Sequence, residues 1–92
     1  MSLLNTEQIE KKLQSFNNWS ISDKIIKKKF KFNSYMESIR FINEVAIKAE
    51  DLNHHPDIFL GHCEIEIFFT SHDKGGVTSN CIQMAKFIES IL

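Results

Sequence analysis

The sequence predicts an α+β fold: α-β-β-α-β-β-α, with a four-stranded antiparallel sheet and helices packed on one face. Two kinds of periodicity predict it. Apolar residues recur at helical spacing in three segments, at the start, middle and end of the chain. Between those segments apolar and polar residues alternate with period two, the pattern of strands with one buried face. The connections within each strand pair are of hairpin length, which favours antiparallel pairing with the helices gathered on one side. At 92 residues the chain is read as one domain, 1–92.

The first helix is expected from about Thr6 to Phe16, because Ile9, Leu13 and Phe16 fall at i, i+4 and i+7. Asn5 or Thr6 can cap its start, Glu7 suits the first turn, and Asn17-Asn18 ends it. Trp19 to Ser22 reads as a short strand and Ser22-Asp23 as a turn. From Lys24 to Phe32, Ile26, Phe30 and Phe32 share one face while Lys27, Lys29 and Lys31 share the other. Ser34 and Glu37 have the spacing of a capping box, S-x-x-E. The helix behind it carries Ile39, Ile42, Val45, Ala46 and Ala49 as its apolar stripe and ends near Leu52-Asn53, before Pro56. Asp57 to Leu60 and Glu64 to Thr70 are two strands joined at Gly61–Cys63, and Ser71 to Gly76 is a loop. Thr78 or Ser79 caps the last helix, with Ile82, Ala85, Ile91 and either Ile88 or Phe87 inward.

Composition excludes several functions. A net charge of −1 argues against nucleic-acid binding driven by bulk charge. Lys27, Lys29 and Lys31, at period two, are read as the solvated side of the second strand, and on an edge such lysines also block aggregation. No stretch approaches the roughly 18 apolar residues of a membrane span, and no leader pattern opens the chain. A cytoplasmic protein with no membrane partner is expected. Cys63 and Cys81 have no metal-site spacing and are expected as free thiols.

All four histidines lie between His54 and His72. His54 and His55 precede the third strand, and His72 follows the fourth. A hairpin of those strands brings the start of one beside the end of the other, and so His72 beside His54 and His55. Surface or capping roles compete with a metal site and with acid–base chemistry. A metal site needs about three or four convergent ligands; adjacent histidines rarely converge, and H-E-x-x-H and paired cysteines are both missing. Imidazole, with an ordinary pKa near 6.5, exchanges protons readily at neutral pH. Metal-free acid–base chemistry on a small molecule is therefore the expected function. The loop His72–Gly76 precedes a helix, but it lacks the phosphate-binding patterns G-x-x-x-x-G-K-[ST] and G-x-G-x-x-G. Cys81, in the first turn of a helix near His72, is read as a packing residue rather than a nucleophile.

Glu50-x-x-x-His54-His55-Pro56-Asp57, then Thr70-Ser71-His72-Asp73-Lys74-Gly75-Gly76-Val77-Thr78, then Ala85-Lys86-Phe87-Ile88-Glu89, closely resembles the pterin-4a-carbinolamine dehydratase family. The likeness is strong over the last half of the chain and is one of element order in the first. It implies the same α-β-β-α-β-β-α fold. It also implies dehydration of a 4a-hydroxytetrahydropterin to the quinonoid dihydropterin, in recycling of the tetrahydrobiopterin used by aromatic amino acid hydroxylases. No metal and no cofactor are implied. Carried onto this chain, His54 and His72 would be the acid–base pair, and His55 would hold the pterin and assist at its ring nitrogen. Glu50 would orient an imidazole, and Pro56, Asp57, Ser71, Asp73 and Lys74 would line the pocket. A homodimer or homotetramer is implied. A protein partner is a second role in the family, as dimerisation cofactor of a transcription factor through a helix; here the apolar residues of interest are Ile82, Ile88 and Ile91.

Two positions depart from the family pattern. His62 stands where an aromatic residue is usual, six after the proline, and is expected to change the packing under the pocket. Cys81 stands where an aspartate is usual, nine after His72, and is expected to deprive His72 of a stabilising carboxylate.

Overall fold

The structure, a computed structural model, describes residues 3–22 and 24–92. The expected turn residue Asp23 lies outside the described residues. The elements are α1 (Thr6–Leu13), β1 (Ser20–Ser22), β2 (Ile25–Lys31), α2 (Tyr35–Leu52), β3 (Asp57–Gly61), β4 (Glu64–Phe69) and α3 (Ser79–Ile91). The sheet order is β1-β2-β4-β3, and every neighbouring pair is antiparallel.

Register puts the buried apolar residues of β2 and β4 on one face, with Phe59 and Phe68 on the other. Ile26 lies opposite Phe69, and Phe30 opposite Ile65. Ile26, Ile65, Ile67 and Phe69 are all fully buried against Val45, Met84, Ala85 and Ile88 of the helices. The other face carries Lys29 opposite Glu66 and Lys31 opposite Glu64, so the lysine row is matched by a carboxylate row.

Local signals set the helix ends. Asn5 accepts from the Gln8 amide while Gln8 returns a bond to the Asn5 amide, a complete capping box on α1. Ser34 accepts from the Glu37 amide at 3.1 Å, the first half of the expected box on α2. Asn53 ends α2 in a left-handed conformation, φ 49°. Thr78 caps α3 by its backbone only, because its hydroxyl is engaged elsewhere.

One correction concerns the core. The buried stripe of α2 is Ser38, Phe41, Val45 and Ala49; Ile39 and Ile42 are half-buried and Ala46 is exposed. Burying Ser38 leaves no polar group stranded, since its hydroxyl donates to the Ser34 carbonyl. The inner face of β2 also includes Lys28, opposite Ile67. Its Nζ meets Glu89 Oε2 at 2.5 Å and lies 5.3 Å from the Phe30 ring centroid, while Trp19 Nε1 donates to the same carboxylate oxygen at 3.0 Å. Glu89 thus ties α3 to β2 and to the residue just before β1.

Candidate functional site: three histidines at one end of the sheet

Asp57 of β3 pairs with Phe68 of β4, so the chain just before β3 and the chain just after β4 lie side by side. His54 and His55 are in the first segment and His72 is in the second. His55, His72 and Asp73 all lie close enough to act electrostatically on His54. The expected convergence of the three histidines is what the register produces.

His54 is the buried member, 9% exposed. The left-handed turn at Asn53 directs the chain so that the His54 amide donates to the Ala49 carbonyl. The imidazole then stacks on Phe69, with ring centroids 6.2 Å apart and planes 12° from parallel. Burial pushes its pKa below the ordinary 6.5, Asp73 opposes that, and His55 and His72 add to it. The ring is therefore neutral at neutral pH. His55 is exposed, and its Nε2 is held by the Glu50 carboxylate. Glu50 thus orients the imidazole of His55, one turn beyond the end of its helix.

His72 is exposed on a tightly closed loop. Ser71 and Gly76 form a bridge, and the Ser71 carbonyl accepts from the Lys74 and Gly75 amides at 3.0 and 2.8 Å. Gly75 has φ 75°, which a side chain would oppose. These amides point into the loop, so the loop does not present them to an anion. Ser71 is buried and bonds Thr78 through its hydroxyl at 2.6 Å, joining the loop to the start of α3.

The remaining candidates fall in different places. Pro56 is half-buried at the entry to β3, and Asp73 and Lys74 are exposed on the loop beside His72. Asp57 shares the outer face of the sheet with Phe68, away from the inner face where His54 stacks on Phe69. That separates its carboxylate from the His54 ring. His62 sits in the turn between β3 and β4, at the opposite end of the hairpin, stacked on Tyr35 at 6.5 Å. It is not under the three histidines, contrary to expectation. The expectation for Cys81 also changes. Its Sγ lies 3.2 Å from His54 Nε2, so the imidazole it faces is His54 rather than His72. Sequence spacing missed this contact because it depends on how α3 packs under β4. Among the described residues no group of three or more His, Cys, Asp or Glu side chains is arranged to hold a metal ion. Nor is any described helix long and apolar enough to cross a membrane.

Comparison with known proteins gives a consistent result. A sequence profile described as Pterin 4 alpha carbinolamine dehydratase matches residues 2–91. A Prochlorococcus marinus protein provisionally named pterin-4-alpha-carbinolamine dehydratase is 36% identical over 92 residues, which is 100% of this chain and 97% of the relative. A Sulfurisphaera tokodaii protein with the same provisional name is 33% identical, over 100% of this chain and 99% of its own. Among solved structures, a transcriptional coactivator/pterin dehydratase from Brucella melitensis superposes with a TM-score of 0.92 at 27% identity, covering 98% of each chain. A pterin dehydratase-like protein described as a RuBisCO assembly factor shares the fold, with a TM-score of 0.70 at 20% identity over 83% of this chain and 90% of that one.

Proposed function

The chain belongs to the pterin-4-alpha-carbinolamine dehydratase family, and from that membership we propose that it dehydrates 4a-hydroxytetrahydropterins by histidine acid–base catalysis without a metal. The observation that carries the reading is the grouping of His54, His55 and His72 at one end of the sheet, with Glu50 holding His55. The reaction breaks the bond between C4a and the hydroxyl oxygen, adds one proton to that oxygen to make water, and removes one proton from a ring nitrogen. His54 and His72 form the pair that serves these two protons, and His55 binds the pterin. Positioned acid–base groups typically contribute about 10²–10⁴-fold each. Ser71, Asp73, Lys74 and Pro56 border the site, Ser71 through the loop it closes.

The test is a dehydratase assay on freshly generated 4a-hydroxytetrahydropterin, run with and without a strong chelator. Acceleration that survives chelation is the expected result. A rate equal to the uncatalysed one, from folded protein, would sink the proposal, and loss with EDTA restored by zinc would overturn its metal-free part. The enzyme acts as a homo-oligomer in the cytoplasm, in recycling of tetrahydrobiopterin. A monomer mass by light scattering at high concentration would count against the assembly.

A second reading is a protein-binding role. Ile82 and Ile88 of α3 are buried and unavailable to a partner. α2, however, exposes Tyr35, Met36 and Ile47. The Brucella melitensis relative is described as a coactivator as well as a dehydratase.

A further inference from the structure

Behind His54 lies a chain of protic side chains that the acid–base pair does not itself use. Thr78 Oγ1 and Ser71 Oγ are 2.6 Å apart, Ser71 Oγ and Cys81 Sγ are 3.8 Å apart, and Cys81 Sγ is 3.2 Å from His54 Nε2. All four residues are buried, and Cys81 is fully so. Each of the three hydroxyl or thiol groups has one proton to give. Sulfur is a weak acceptor, whereas an unprotonated imidazole nitrogen is a good one. Running in the order Thr78, Ser71, Cys81, His54, the donors all point one way and the run ends on the strongest acceptor. The charged alternative, thiolate beside imidazolium, would bury two ions with only the long 3.8 Å contact from Ser71 Oγ to support the sulfur.

We propose that Cys81 is a positioning residue for His54: its S–H donates to Nε2, so the proton of the neutral ring is held on Nδ1. An aspartate at this position, usual in the family, can only accept when ionised and would hold the proton on Nε2. The thiol therefore inverts the tautomer. With Nε2 engaged inside, the nitrogen left to a ligand is Nδ1, and it presents an N–H. Resting on the dehydratase reading, this divides the pair: His54 gives a hydrogen bond to the leaving hydroxyl, and His72 takes the proton from the ring nitrogen. The other groups acting on His54 are Asp73, His55 and His72. They change its charge balance, whereas the atom bonded to Nε2 is Cys81 Sγ.

The tautomer can be read without any enzyme assay, so its failure is distinct from failure of the dehydratase reading. In ¹⁵N-histidine-labelled protein near pH 7.5, nitrogen shifts and long-range couplings to the ring protons separate protonated from unprotonated nitrogens. His54 is expected to show Nδ1 protonated and Nε2 bare. Cys81→Ser retains a donor and keeps that pattern, and Cys81→Ala loses the preference. Cys81→Asp moves the proton to Nε2 and raises the His54 pKa, because a carboxylate favours the charged ring. A merely space-filling Cys81 would leave the tautomer alike in all variants. A protonated Nε2 at His54 in the unmodified chain overturns the proposal, and that measurement decides even if Cys81→Asp fails to fold. An unmoved tautomer in a folded Cys81→Asp overturns it too.

Discussion

Asn53, His54 and His55 are consecutive, yet each has a different physical task. Asn53 takes a left-handed conformation, which costs most L-residues about 1–2 kcal/mol and which Asn tolerates better than most. That turn lets His54 point inward and leaves His55 outside, against Glu50. The consequences for turnover differ accordingly. On the dehydratase reading, His54→Ala and His72→Ala should each lower kcat by roughly 10- to 1000-fold, the range for a lost acid–base group. His55→Ala should mainly raise KM, as loss of a ground-state contact does. Steady-state kinetics of the three variants beside the parent protein check this, and unchanged kcat in both His54→Ala and His72→Ala would refute the assignment.

Among the elements, α3 is tied to the sheet by a contact from far along the chain. Glu89 receives Lys28 and Trp19 together, 61 and 70 residues away, and its side chain and that of Lys28 are only 17% and 10% exposed. Glu89→Ala would leave an ammonium and an indole N–H without their acceptor, and should destabilise the fold by about 2–4 kcal/mol. The double variant Lys28→Met with Glu89→Leu should recover much of that loss, since no charge remains buried. Urea unfolding midpoints measure both; a cost below about 0.5 kcal/mol for Glu89→Ala, the level of an ordinary surface change, would contradict the argument. The elements themselves were legible because each is marked locally, by period and by caps such as Ser34. The inward face of α2 was not. Residues 39, 42 and 46 offer an apolar stripe as regular as 38, 41, 45 and 49, and Ser38 joins the core only because its hydroxyl finds the Ser34 carbonyl. The histidine grouping was legible because hairpin register alone brings it about. The Cys81–His54 contact and the Lys28–Glu89 pair were not, since both depend on the rotation and depth at which α3 settles on the sheet.

At the scale of the whole molecule, the buried imidazole couples the candidate site to global stability. The radius of gyration is 12.7 Å, close to the roughly 12 Å typical of a compact chain this long. A fold of this size unfolds cooperatively, so a proton taken up at one buried site is felt by all of it. The pKa of His54 is lowered by folding. The unfolded chain therefore binds the proton more tightly, and stability falls as pH drops through the ordinary histidine value near 6.5 toward the lowered native one. Above 6.5 this contribution is fully present. His54→Gln should accordingly flatten the loss of stability between pH 7.5 and 5. Asp73→Asn should steepen it, because Asp73 is the group that raises the His54 pKa. Urea midpoints of the three proteins at the two pH values give the test. The expected order of the acid-induced drop is Asp73→Asn, then the parent, then His54→Gln; an undiminished drop in His54→Gln would assign the acid sensitivity to other groups.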